Sequence, residues 1–177
     1  MKCSVVILNW NGENTLRQFL PSVLQNTQQA DVEIVVADNG STDNSLEYLR
    51  EQPVRVIALD QNYGFAEGYN RAIAQVDSDY IVLLNSDVEV TQGWLSTMLA
   101  YLDTHPDTMA AGGPIEPLYE TQEPLWMSPY TKALLTAWMN YGDKVREYPK
   151  GRYPGGGNAA YRKEVFNRVG VFNTELG

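Results

Sequence analysis

Acidic and amide side chains in this chain gather at the ends of apolar runs, where a carboxylate or an amide can meet a polar ligand. Asp87 closes the run Leu83-Leu84-Asn85-Ser86-Asp87. A carboxylate at the end of a hydrophobic strand is solvated and rigidly placed. It could hold Mg2+ or Mn2+ against a diphosphate, because such ions commonly take one or two protein carboxylates together with phosphate oxygens and water. Alone, an Asp at such a position reads as a turn cap; polar loops at three other strand ends move the balance towards a metal. Asp38, ahead of Asn39-Gly40, could accept a hydrogen bond from the N3–H of uracil or thymine, a proton that cytosine lacks. Its plain alternative is an Asx-turn.

Other candidates carry less. Gly64 and Gly68 permit close backbone approach at a loop-to-helix junction, where N–H groups could meet ligand polar atoms. Gly155-Gly156-Gly157 reads either as a flexible turn or as a strand edge against which a sugar lies. Arg71 and Arg162 read as surface charges rather than phosphate clamps. His105 precedes Pro106 at a helix end without a partner cluster and is rejected as a ligand or base. With one His and one Cys placed as they are, no Ser/His/Asp or Cys/His nucleophilic set can form.

The elements that position these residues follow a β-turn-α rhythm. Ser4 to Leu8 is an unbroken apolar run of the kind buried on both faces in a parallel sheet. Asn9-Trp10-Asn11-Gly12 turns into a helix with an apolar stripe of Leu16, Phe19, Leu20, Val23 and Leu24, which Pro21 is expected to kink. A second strand, Val32 to Ala37, leads past Asp38 to N-cap candidates Ser41, Thr42 and Asp43 and a helix carrying Leu46 and Leu49. Val54 to Leu59 precedes the loop 60–64 and a helix through Tyr69, Ala72, Ile73 and Val76, and Tyr80 to Leu84 forms the fourth strand. A helix over Trp94 to Leu102 and a short strand at Met109 to Ala111 complete this pattern. Strands alternating with helices at this spacing predict right-handed crossovers, a largely parallel sheet covered on both faces, and ligands beyond the strands' carboxyl ends. The clusters at 9–11, 38–41, 62–64 and 85–87 are thus expected to meet in one crevice.

Residues 114 to 154 hold prolines at 114, 117, 124, 129, 149 and 154 with many aromatics, a composition for a long specificity loop around a helix near Thr131 to Tyr141. A last helix, Arg162 to Val169, ends at Gly170.

With 177 residues, 44% hydrophobic and 20% charged, the chain reads as one globular α/β domain. A net charge of −9 gives no attraction to nucleic acid or to anionic lipid as a whole, so an anionic ligand would need a divalent cation or backbone N–H groups. The single Cys3 suits a reducing compartment, with burial as its role. Neither a signal peptide nor an apolar run of about 18 residues is seen. The expected setting is the cytoplasm, with peripheral membrane association left open through residues outside this sequence.

Five ordered stretches together resemble the family 2 glycosyltransferases, whose GT-A (Rossmann-like) fold transfers sugar from a nucleotide donor with inversion at the anomeric carbon. Ser4 to Gly12 is similar to the family's first strand and nucleotide-contacting turn, and Val35 to Asp43 to the second-strand motif whose Asp sits beside the base. Asn62-Tyr63-Gly64-Phe65-Ala66-Glu67-Gly68-Tyr69-Asn70 looks like a pattern of the rhamnosyl and galactofuranosyl transferase branch. Leu83 to Asp87 occupies the place of the Asp-x-Asp motif, and Arg162 to Phe172 resembles the helix and turn before the catalytic base.

The resemblance implies a nucleotide site of Leu8, Asn9, Asn11, Asp38, Asn62, Gly64, Gly68, Asn70, Asn85 and Ser86. It further implies Asp87 as the metal ligand, with Mg2+ or Mn2+ as cofactor, and Gly156, Gly157 and Asn158 facing the donor sugar. The implied partners are a nucleoside-diphosphate sugar of UDP or dTDP type and a glycan or lipid-linked acceptor. Residues 1–113 would be the nucleotide-binding half and 114–177 the incomplete start of the acceptor side, truncated before a base expected beyond Gly177. Asn85 stands at the first acidic position of the motif, so metal affinity without nucleotide should be weak. A non-catalytic nucleotide-sugar-binding domain that scaffolds polysaccharide assembly is the alternative. A nicotinamide-dependent oxidoreductase would need Gly-x-Gly-x-x-Gly after the first strand, and a nucleotidyltransferase a Gly-rich, basic loop there. Asn9-Trp10-Asn11-Gly12 is neither.

Overall fold

The computed structural model describes residues 2–142 and 144–176. Six strands form one sheet in the order β3-β2-β1-β4-β6-β5, with β1 at Cys3–Asn9, β2 at Val32–Asp38, β3 at Arg55–Ala58, β4 at Tyr80–Asn85, β5 at Ala110–Gly112 and β6 at Ala159–Arg162. The first four in sequence pair in parallel. β6 runs antiparallel to both β4 and β5. The helices are α1 Glu13–Asn26, α2 Ser45–Arg50, α3 Gly64–Ile73, α4 Trp94–Thr104, α5 Pro129–Leu135 and α6 Glu164–Val169, followed by a 3-10 turn at Thr174–Leu176.

Successive strand residues point to opposite faces, and both faces of this sheet are dry. Val5, Ile7, Val36, Val82 and Leu84 pack against Leu16, Leu20 and Val23 of α1, Leu49 of α2, and Leu95, Leu99 and Leu102 of α4. The neighbouring positions Val6, Val35, Ile81 and Leu83 meet Tyr69, Ala72 and Ile73 of α3, with Phe166 of α6 at the margin. Val5, Val6, Ile81 and Val82 have no exposed surface. Two covered faces are the reason these strands read as continuous apolar runs rather than as alternating ones.

Pro21 lies inside α1, which runs from Glu13 to Asn26. The structure departs from the sequence reading in three places. α2 begins at Ser45, later than the run of cap candidates; Asp43 Oδ1 accepts the Ser45 N–H at 3.0 Å, and Ser41 is used elsewhere. The helix of the 114–154 segment is Pro129–Leu135, not Thr131–Tyr141: Ser128 and Thr131 form a capping box at its start, and Ala137 takes φ 50° just beyond its end, a left-handed conformation that stops a helix. Arg162 belongs to β6 rather than to a helix. It is also no surface charge, since its guanidinium donates to Thr108 O, Leu102 O, His105 O and Tyr80 Oη.

Candidate functional site

Strand register decides which side chains meet at the carboxyl edge of the sheet. β1 lies between β2 and β4, so Asn9 stands opposite Asp38 and Leu8 opposite Asn85. Because β6 is antiparallel to β4, with Ala159 opposite Leu83, the residues just before β6 arrive at the same edge. A Cβ on Gly157 would lie 3.6 Å from Asn85 Nδ2, and one on Gly156 would lie 3.6 Å from the Phe65 ring. Gly156 and Gly157 therefore border the crevice between β4 and the start of α3, whereas Asn158 lies against Gly112 and Gly113. The sequence-derived residues Leu8, Asn11, Asn62, Gly64, Asn85, Ser86 and Asp87 all keep accessible surface there.

The floor of this crevice is a hydrogen-bonded frame. Asn9 Nδ2 donates to Asp38 Oδ2 at 2.9 Å and to Ser41 Oγ at 3.3 Å. Ser41 N–H donates to Asp38 Oδ1 at 2.9 Å. The Asn11 N–H donates to Ser41 Oγ, and Asn11 Oδ1 accepts the Thr42 N–H at 2.7 Å. Asn11 holds φ 48°, a conformation that Asn tolerates better than most residues. Asn9 Oδ1 is buried without a partner among the described residues; a Cβ on Gly12 would fall 2.4 Å from it, so position 12 has room for hydrogen only.

Three expected contact residues are placed differently. Asp38 has no exposed surface; its carboxylate is taken up by Asn9 and Ser41, so the Asx-like turn is realised. Gly68 is buried, and a Cβ there would sit 3.0 Å from Leu8 Cδ1 and 3.1 Å from Asn39 Nδ2, so its role is close passage of α3 over β1. Asn70 spends both halves of its amide on one backbone position, donating to Phe172 O and accepting the Phe172 N–H, each at 2.9 Å. That clasp fixes the chain after α6 against α3, alongside the Tyr69–Phe172 and Phe166–Phe172 ring contacts.

Asn39 is the residue the sequence reading missed. It is 2% exposed and bonds to Asn62, Tyr63 and Gly64, joining the loop after β2 to the start of α3. Its only local signal was a polar residue directly after a buried strand, which a turn explains equally well.

Asp87 is exposed, and among the described residues its carboxylate has no hydrogen-bond or ion-pair partner. It lies near the buried Tyr69 hydroxyl, which donates to Leu84 O at 3.1 Å; burial pushes that phenol well above its ordinary pKa, and the Asp87 charge adds to the rise. No group of three or more metal-ligating side chains occurs among the described residues. A cation at Asp87 would have this one carboxylate and would need its other ligands from phosphate oxygens and water.

Residues 4–170 match the family described as Glycosyl transferase family 2. The whole chain aligns at 24% identity with 58% of a glucosyl-dolichyl phosphate glucuronosyltransferase of Haloferax volcanii. Among solved structures, a Pyrobaculum calidifontis mannosyltransferase in complex with GDP-Man and Mn2+ superposes with a TM-score of 0.72 at 18% identity, over 98% of this chain and 48% of that one. S. aureus TarS with UDP-GlcNAc does so with a TM-score of 0.70 at 18% identity, over 97% of this chain and 48% of the other. Likeness at this level shows the fold, the GT-A arrangement of a mostly parallel sheet with helices on both faces. The chain spans 38% and 45% of two uncharacterised Haemophilus influenzae glycosyltransferases that it matches, well under their full length.

Proposed function

The chain belongs to glycosyl transferase family 2, and from that premise we propose that it binds the nucleoside-diphosphate sugar in a metal-assisted, inverting transfer to a hydroxyl of a glycan or lipid-linked acceptor. The observation that carries this reading is Asp87, an exposed carboxylate two residues past the end of the buried strand β4, without a partner among the described residues. Leu8 and Asn11 would contact the nucleoside, and Asn62 the nucleotide. Asn9 and Asp38 would hold the turn that shapes its pocket, Asn85 and Ser86 would face the diphosphate, and Gly156, Gly157 and Asn158 would face the sugar. A bound Mg2+ or Mn2+ would supply Lewis-acid neutralisation of charge on the leaving phosphates. Donors of UDP or dTDP type are favoured; the related mannosyltransferase was solved with GDP-Man, so GDP belongs in any test. No helix among the described residues is long and apolar enough to cross a membrane. The setting proposed is the cytoplasm, at the inner face of the membrane where residues outside this sequence anchor it.

Melting measurements test the reading. A ligand at about 100 times its Kd stabilises a native state by roughly 2.7 kcal/mol, and each kcal/mol moves the Tm of a domain this size by about 2–4 °C. A shift of several degrees is expected with UDP or dTDP plus Mn2+, and a clearly smaller one in EDTA, since one carboxylate alone holds a reluctantly dehydrated cation poorly. Asp87→Ala should remove the gain from metal while keeping the metal-free shift. The same metal gain in Asp87→Ala would remove Asp87 as the ligand, and no shift with any of UDP, dTDP and GDP would overturn the donor site altogether.

A further inference from the structure

The loop 61–64 carries an amide whose orientation is dictated from beneath. Asn39 spends its whole side chain on that loop: Nδ2 donates to Asn62 Oδ1 at 2.9 Å and to Gly64 O at 3.0 Å, and Oδ1 accepts the Tyr63 N–H at 3.0 Å. Asn62 Oδ1 accepts a second bond, from the Gly64 N–H at 2.8 Å. Both acceptor positions of the Asn62 carbonyl are thereby used. A flipped amide would set its NH2 against the Asn39 NH2 and the Gly64 N–H, donor against donor, so the network itself assigns the orientation. What remains is the NH2 group of an exposed residue, without a protein partner among the described residues.

The loop is also braced on its other sides. Gly40, at φ +74°, passes so close to it that a Cβ would lie 2.4 Å from the Gln61 carbonyl carbon. The Tyr63 hydroxyl donates to Asp60 at 2.7 Å, and the Arg71 guanidinium covers the Tyr63 ring at 3.7 Å. An amide held in this way loses little further freedom on meeting a ligand, which favours recognition by it.

We propose that Asn62 is a recognition residue of the donor site and that Asn39 is the positioning residue that aims it. The amide offers two N–H donors and no free acceptor, so it selects an oxygen acceptor of the nucleoside diphosphate, either a phosphate oxygen or an oxygen of the nucleoside. The inference rests on the nucleotide-sugar reading above and adds to it the direction of the hydrogen bond and the buried residue that sets it. A carboxylate at position 62 would satisfy Asn39 and Gly64 equally well but would turn a charged acceptor towards the ligand.

Asn62→Asp separates recognition from structure for that reason. Its melting temperature should stay within about 2 °C of the native chain, because both held hydrogen bonds survive. UDP affinity, measured by calorimetric titration with Mn2+, should fall by about tenfold or more, because a donor has become a charged acceptor. Asn39→Asp loses the two donors, and both its melting temperature and its UDP affinity should fall. Titration with uridine identifies the acceptor: unchanged uridine binding in Asn62→Asp places it on a phosphate, and a parallel loss places it on the nucleoside. UDP binding by Asn62→Asp as tight as that of the native chain would overturn the role of Asn62 while leaving the donor site standing. A melting loss in Asn62→Asp as large as in Asn39→Asp would overturn the premise of the held carbonyl. A native chain that binds none of UDP, dTDP and GDP would overturn the nucleotide reading itself, and this proposal with it.

Discussion

Cys3 opens β1 with no exposed surface, and its chemistry is that of a small core side chain. Burial pushes its thiol from 9.0 up to about 12. The sign of the consequence follows from linkage: the folded state keeps a proton that the unfolded chain gives up, so the associated stability is complete below pH 9.0 and is lost as the pH rises from there towards about 12. Unfolding free energy should therefore decline between pH 9 and 10 with a slope approaching about 1.4 kcal/mol per pH unit from this group. Buried tyrosine hydroxyls such as Tyr161, half-ionised at pH 10.0 in the unfolded chain, add to the same decline, so the thiol's share is the difference between the native chain and a variant without it. Urea titrations of the native chain and of Cys3→Ala should give different slopes in that window, whatever the offset caused by the smaller side chain. Parallel curves would remove Cys3 as the source. Several polar residues of the site behave differently, because side chains or backbone groups elsewhere in the sequence hold them. Asn9, Asp38 and Ser41 form one frame, and Asn39, Asn62 and Gly64 a second, and the adjacent residues Asp38 and Asn39 join the two.

At the scale of elements, Arg162 is the fastener between β6 and the end of α4. Its fork of donors satisfies the carbonyls of Leu102 and His105 at the helix C-terminus and of Thr108 beyond it, and reaches Tyr80 in β4. Tyr80 in turn donates to Asp103 at 2.7 Å. Helix ends leave carbonyls that need donors, and only a planar guanidinium serves several at once. Arg162→Ala should cost roughly 2–3 kcal/mol and lower the Tm by about 5–10 °C, and Arg162→Lys should recover only part of it. A loss under about 0.5 kcal/mol would mean an ordinary surface charge. Asn70 plays the corresponding part for α3 and the segment after α6, a role that its place in the 62–70 stretch did not disclose.

For the molecule as a whole, the sheet and its two dry faces contrast with residues 114–154. α5 buries none of its residues, and Leu125, Trp126, Tyr130 and Leu134 are exposed. Segments with few buried apolar contacts open at low free energy, so amides of this region should exchange far faster than those of Val5 to Leu8. Equal protection in a hydrogen-exchange experiment would show that the region is as tightly held as the sheet. The sequence by itself determined the parallel half of the fold and the edge of the sheet to which its polar turns lead. A strand covered on both faces must be continuously apolar, and Val5 to Leu8 and Ile81 to Leu84 state this locally, as do the polar turns that follow them. Only the tertiary structure decided that Ala159–Arg162 is an antiparallel strand, which carries Gly157 to Asn85 and Gly156 to Phe65. Four residues whose partners lie some 80 positions away carry no local period to read. The burial of Asp38, the packing role of Gly68 and the hub at Asn39 belong to the same class. Each depends on which loop lands against which after the sheet has formed, and an amide or carboxylate has the same sequence signature whether its partner is a neighbouring loop or a ligand.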